Sequence, residues 1–137
     1  MQKDPAYGDV VQEVAQYLQQ RVDALVKAGL DPETLTVDPG IGFGKTVEHN
    51  LALLANLDAL GSIRRPVVIG LSRKSFLGKL TGAEVNERLA PSLAALAYVV
   101  LHGAHIVRVH DVRESRQAIT VALALSGARR SHARGTV

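Results

Sequence analysis

The chain has 137 residues, 47% apolar and 21% charged, enough for one domain with a real core. Aromatics are only 4%, so that core must be Val, Leu, Ile and Ala, and the absence of cysteine excludes disulfides and thiolate metal sites. The net charge of +3 is no nucleic-acid signature, because Arg129, Arg130 and Arg134 near the C-terminus supply it.

Asp4-Pro5 is expected to open the first helix. Val10, Val11, Val14, Ala15, Leu18, Val22, Leu25 and Val26 then recur at helical spacing through about Ala28, and Gly29 suits the left-handed residue after a helix end. Asp31-Pro32 reads as a turn and Leu35–Val37 as a short strand. A second helix is expected over 47–60, with Leu51, Leu54 and Leu57 on one side and Gly61 closing it. Pro66–Leu71 is apolar without alternation, as in a parallel strand covered on both faces. Ser75–Leu80 reads as a short helix, interrupted by Thr81-Gly82. The next helix ends near His102-Gly103. Pro91 lies either in its first turn or at a bend in a helix from Asn86. Ile106–Val109 is the third strand, Asp111-Val112-Arg113-Glu114 has the form of a capping box, and the last helix is expected to end at Gly127. Residues 1–127 thus read as one unit in α-β-α-β-α-β-α order, an α/β protein with parallel strands. Residues 128–137 read as a basic, disordered tail. No apolar run approaches the roughly 18 residues that span a bilayer, and no secretory leader is evident, so a cytoplasmic protein without membrane or nucleic-acid partners is expected.

Each expected strand runs into a polar cluster. Asp38-Pro39-Gly40-Ile41-Gly42-Phe43-Gly44-Lys45-Thr46 ends like a nucleotide-binding P-loop, but Pro39 stands where that pattern needs its first glycine. The glycines also miss the dinucleotide fingerprint. Asp38 is either a turn residue bonding its own backbone or a carboxylate for the paired donors of an amidine-like edge. Ser72-Arg73-Lys74-Ser75 is either a solvated turn with a serine cap or a site for anions or carbonyl oxygens at a helix start. Arg108 and His110 share one side of the third strand, with Val109 on the other, and a rim position facing an anion avoids burying Arg108 unpaired. His49, His102, His105 and His132 read as surface, turn or tail residues.

Together D-P-G-I-G-F-G-K-T, G-L-S-R-K-S-F-L-G and G-A-H-I-V-R-V-H-D-V-R-E-S resemble the dihydropteroate synthase family over nearly the whole chain to about Leu125. The resemblance implies a (β/α)8 TIM barrel. It also implies condensation of 6-hydroxymethyl-7,8-dihydropterin diphosphate with p-aminobenzoate to give 7,8-dihydropteroate and pyrophosphate. Asp38 would bind the pterin's amino-pyrimidinone edge. Lys74 would contact the pterin near p-aminobenzoate, with Ser75 receiving that substrate's carboxylate and Phe43 beside it. Arg108 and His110 would hold the diphosphate. Lys74, Arg108 and His110 would then be the catalytic residues. The resemblance further implies Mg2+, sulfonamide inhibition and a homodimer.

Three strands are fewer than the eight of a closed barrel. The chain is therefore expected to be the C-terminal portion of that barrel, a fragment inactive alone, with the metal's protein ligand in the part before it. A non-catalytic pterin- or anion-binding half-domain is the alternative. A methyl-transferring pterin barrel fits the two cationic clusters less well, since it releases no pyrophosphate.

Overall fold

The computed structural model describes residues 7–134, and of 130–134 the backbone alone. Its helices are α1 (Val10–Lys27), α2 (Val47–Ala55), α3 (Ser75–Thr81), α4 (Leu89–Leu101) and α5 (Val112–Arg134). Its strands are β1 (Val68–Ile69) and β2 (Ile106–Val107), which pair in parallel with Val68 opposite Ile106 and Ile69 opposite Val107. Short 3-10 turns cover Pro32–Thr34, Leu57–Ile63 and Val85–Glu87.

The expected first strand contracts to a single parallel bridge, Val37 to Val67. The cause is local. The Leu35 amide donates to the Pro32 carbonyl, and the Asp38 carboxylate accepts from Gly40 N–H, so turns close in from both sides. Between them, Val37 donates to Pro66 O and accepts from Val68 N at 2.9 and 2.8 Å. On the other side, Val67 O accepts from Ile106 N and Ile69 O from Arg108 N. Backbone groups alternate sides along an extended chain, so the Pro66–Ile69 segment is the centre of a three-segment parallel layer. The strands expected over 66–71 and 106–109 are likewise shorter, at two residues each.

Several helix boundaries are corrected. α1 begins at Val10, not at Asp4-Pro5, which lies outside the described residues; Asp9 caps it by accepting from Val11 and Gln12 N–H. α2 stops at Ala55, where the Asn56 side chain takes the Ala52 carbonyl and the chain tightens into the 3-10 turn. Its buried face carries Leu53 and Leu54, followed by Leu57 in that turn, while Leu51 is exposed. Pro91 sits in the first turn of α4, where a missing N–H removes no intrahelical bond, and no helix bends there from Asn86. Gly127 does not end α5, whose backbone continues through Arg134 into the segment read as a tail. The Ala- and Leu-rich stretch before Gly127 favours helix strongly enough to carry one glycine.

Val14 and Val22 of α1, Leu53 of α2, Leu57, Leu60, and Leu96 and Val99 of α4 close over Val37, Val67, Ile69 and Leu71 of the parallel layer. Ile69 is 1% exposed at its centre. Ile69→Ala is expected to destabilise the fold by about 2–5 kcal/mol, lowering the urea midpoint without changing the slope of the transition. The layer presents its C-terminal ends, Asp38, Gly70–Lys74 and Arg108–Asp111, on one rim.

Candidate functional site

The β1–β2 register governs this rim. Paired residues are offset by 38, and the offset persists past the strands: Ser72 bonds His110 and Arg73 bonds Asp111. It also lays the Arg108 guanidinium over Gly70, where a Cβ would meet its nitrogens at 3.1 and 3.3 Å. Glycine at that position leaves the room the guanidinium occupies.

Lys74, Arg108 and His110 line one cleft of about 410 Å³, with Gly70, Ser72, Arg73 and Val85. The structure thus brings together all three residues expected to be catalytic. Phe43 joins through Lys74, whose ammonium lies 4.4 Å from its ring centroid. Lys74 Nζ also donates to the Ile41 carbonyl. Its stem crosses Gly42 so closely that a Cβ there would lie 2.7 Å from Lys74 Cδ. Gly42 has φ +79°, a second reason for glycine. Ser75 opens α3 beside Lys74, but it is exposed and off the cleft wall. Asp38 lines a neighbouring cleft of about 450 Å³ with Tyr7, Tyr17 and Lys45. Its Oδ1 accepts from Gly40 N–H at 2.8 Å, so the turn reading of Asp38 holds, and its exposed carboxylate still faces outward.

The charges are unevenly matched. Arg73 is committed: its Nε donates to Asp111 Oδ2 at 2.9 Å and its Nη2 to Oδ1. Hydrogen bonds from Arg73 hold the Asp111 carboxyl below its ordinary value. Asp111 was expected to cap α5, but both its oxygens accept from Arg73. The Arg73 backbone is pinned as well, donating to Ser92 Oγ at 2.8 Å and accepting from Arg88 at 3.2 Å, in a left-handed conformation with φ 57°. Lys74 and Arg108, by contrast, make no ion pair among the described residues. Burial lowers the Lys74 pKa, Asp38 raises it in part, and Arg108 and Lys45 lower it further. Two cations held near each other without a carboxylate partner make an anion-attracting cleft.

Because the Asp111 pKa is lowered on folding, its ion pair contributes stability above the ordinary carboxyl value, and that contribution is lost as the pH falls through the lowered one. Asp111→Asn is therefore expected to be less stable than the parent at neutral pH. Urea unfolding across the acid range should show the gap closing below about pH 3.8, the ordinary value.

Sequence reasoning missed several supports. Asn50 is 1% exposed; its Oδ1 accepts from Gly42 N–H and its Nδ2 donates to Thr46 O, both at 2.6 Å, which ties the glycine loop to α2. Lys45 donates to Gly40 O and Phe43 O, and burial lowers its pKa against the opposing effect of Asp38. The Gly-Lys-Thr sequence marked Lys45, and only the failed P-loop pattern set it aside. His49, His102 and His105 behave as read, while the backbone of His132, read as a tail residue, continues α5. His49 forms a capping box with Thr46, His102 stacks on Tyr98, and His105 accepts from Val67 N–H.

Residues 1–110 match the family described as pterin binding enzyme. The chain belongs to that family. It is 43% identical over 121 residues to the dihydropteroate synthase of Escherichia coli (strain K12), a match covering 88% of this chain and 43% of the relative. It is also similar to the dihydropteroate synthase of Xanthomonas albilineans solved with 7,8-dihydropteroate. There the TM-score is 0.88 at 43% identity, over 92% of this chain and 48% of that one. The Yersinia pestis enzyme solved with a sulfonamide drug gives a TM-score of 0.89 at 36% identity, over 93% and 46%. The chain thus spans less than half the length of these pterin-binding relatives. Its parallel β/α units are a portion of a (β/α)8 barrel, as expected. No described helix is long and apolar enough to cross a membrane.

Proposed function

We propose that this chain supplies the diphosphate and aryl-amine wall of a dihydropteroate synthase site. The observation that carries the reading is the convergence of Lys74, Arg108 and His110 on one cleft with its two unpaired cations. In the proposed reaction, the bond between the pterin methylene carbon and the diphosphate oxygen breaks, and its electron pair leaves on pyrophosphate. The amine nitrogen of p-aminobenzoate bonds to that carbon and gives up a proton. Negative charge therefore grows on the leaving group, where Arg108 and His110 are placed to meet it with preorganised donors. Lys74 spans the pterin and aryl-amine sides, and Phe43 offers its exposed ring to the aryl group. Ser75 lies next to Lys74 for the carboxylate. Asp38 takes the paired donors of the pterin's amino-pyrimidinone edge from the adjoining cleft.

Among the described residues, no group of three or more His, Asp or Glu side chains could hold a metal ion. The charge this chain itself brings to the leaving group is that of Arg108 and Lys74. The same reading carries a cytoplasmic, homodimeric enzyme inhibited by sulfonamides. A second reading is a binding half-domain without turnover, in a chain that spans 43% of the Escherichia coli relative. Incubating the full chain with both substrates and assaying 7,8-dihydropteroate separates the two. Product formation supports an autonomous enzyme, and pterin binding without product supports the half-domain.

A further inference from the structure

Ser72 is a buried hydroxyl, 7% exposed, in the wall of the cleft. Its two bonds go to one residue: His110 N–H donates to Ser72 Oγ at 3.3 Å, and His110 Nδ1 lies 3.1 Å from the same oxygen. An amide nitrogen can only donate, so Oγ is the acceptor in the first contact. The hydroxyl has a single hydrogen. Among the described residues, the acceptor hydrogen-bonded to Oγ and able to take that hydrogen is Nδ1. A neutral imidazole has one proton, so an accepting Nδ1 places it on Nε2, across the ring from Ser72. Backbone and ring are thus held by one oxygen, which also fixes the ring's orientation.

We propose that Ser72 is a positioning residue that holds His110 in the Nε2–H tautomer and presents that N–H to an anionic oxygen in the cleft. The tautomer stands on these contacts alone, whereas its use rests on the diphosphate reading. The arrangement follows from the register. The offset of 38 that pairs Val68 with Ile106 also sets Ser72 opposite His110. The serine belongs to one β/α unit and the histidine to the next.

The test is nitrogen NMR of the full chain labelled with 15N-histidine, above the pH at which histidine titrates, with His110 assigned by its loss in His110→Gln. The wild type should show the Nε2–H tautomer at His110. Ser72→Ala should shift it to a mixture with the Nδ1–H form, and Ser72→Thr, which keeps the hydroxyl, should restore it. Titration with inorganic pyrophosphate should weaken roughly 3- to 10-fold in Ser72→Ala and recover in Ser72→Thr, the loss of one modest hydrogen bond's worth of orientation. A wild type in the Nδ1–H form or an even mixture would overturn the proposal, and that spectrum decides even if Ser72→Ala does not fold. So would a folded Ser72→Ala that keeps the wild-type tautomer and affinity. An Nε2–H wild type that takes up no pyrophosphate supports the positioning and overturns the diphosphate reading instead.

Discussion

Arg108→Ala is expected to weaken binding of inorganic pyrophosphate, and of any pterin diphosphate, by roughly 10- to 100-fold, the worth of charge-assisted hydrogen bonds to one guanidinium. The size follows from the setting. Arg73 already has its carboxylate, so its charge is largely answered by Asp111. Arg108 makes no ion pair among the described residues and lies against the glycine at position 70 with its guanidinium over the strand end. Its loss removes half of the unpaired cationic charge in the cleft. Arg108→Lys should recover only part of the affinity, because an ammonium restores charge without the planar fork that can grip two phosphate oxygens at once. Calorimetric titration with pyrophosphate measures both. Because Arg108 is exposed, its removal should leave the unfolding transition nearly unchanged.

Asp38→Ala should produce the complementary defect. A carboxylate that accepts two parallel N–H bonds from an amino-pyrimidinone loses both at once, so pterin affinity is expected to fall roughly 10- to 100-fold. Pyrophosphate affinity should hold or rise slightly, since a negative charge leaves the neighbourhood of Lys74 and Lys45. The same change acts on those lysines. Asp38 raises both pKa values against the dominant effect of burial, so its removal should lower them further. A chemical-modification profile of Lys74 against pH should therefore shift to lower pH in Asp38→Ala. Retained pterin affinity would remove Asp38 from the site and leave it as the turn residue that its bond to Gly40 already makes it.

Much of this was legible before any coordinates. The α1 stripe, the parallel central segment and the polar cluster after each strand are local patterns, and period and composition reveal them directly. Three of the six expected site residues, Lys74, Arg108 and His110, share the cleft for the reason the sequence offered: each follows a strand on the same rim. What stayed hidden depends on register. The pairing offset of 38 puts Arg108 across from Gly70 and Asp111 across from Arg73. One consequence is that Arg73, read as a cation for ligands, is neutralised, and Asp111, read as a helix cap, neutralises it. Helix ends were missed where side chains compete with the backbone, as Asn56 does after α2. Asn50 gave no pattern at all, because a single buried amide bracing a glycine loop is visible only once the loop has a shape.

In the proposed function, one rim of this chain reads the two halves of a pterin diphosphate through different residues. The most direct test of this is calorimetric titration of the full chain, Arg108→Ala and Asp38→Ala with 6-hydroxymethyl-7,8-dihydropterin diphosphate, with pyrophosphate alone and with the dephosphorylated pterin. The expected result is saturable binding of the diphosphate by the parent chain, loss of pyrophosphate affinity in Arg108→Ala alone, and loss of pterin affinity in Asp38→Ala alone. Equal affinities across the three proteins, or no binding by the parent, would contradict it.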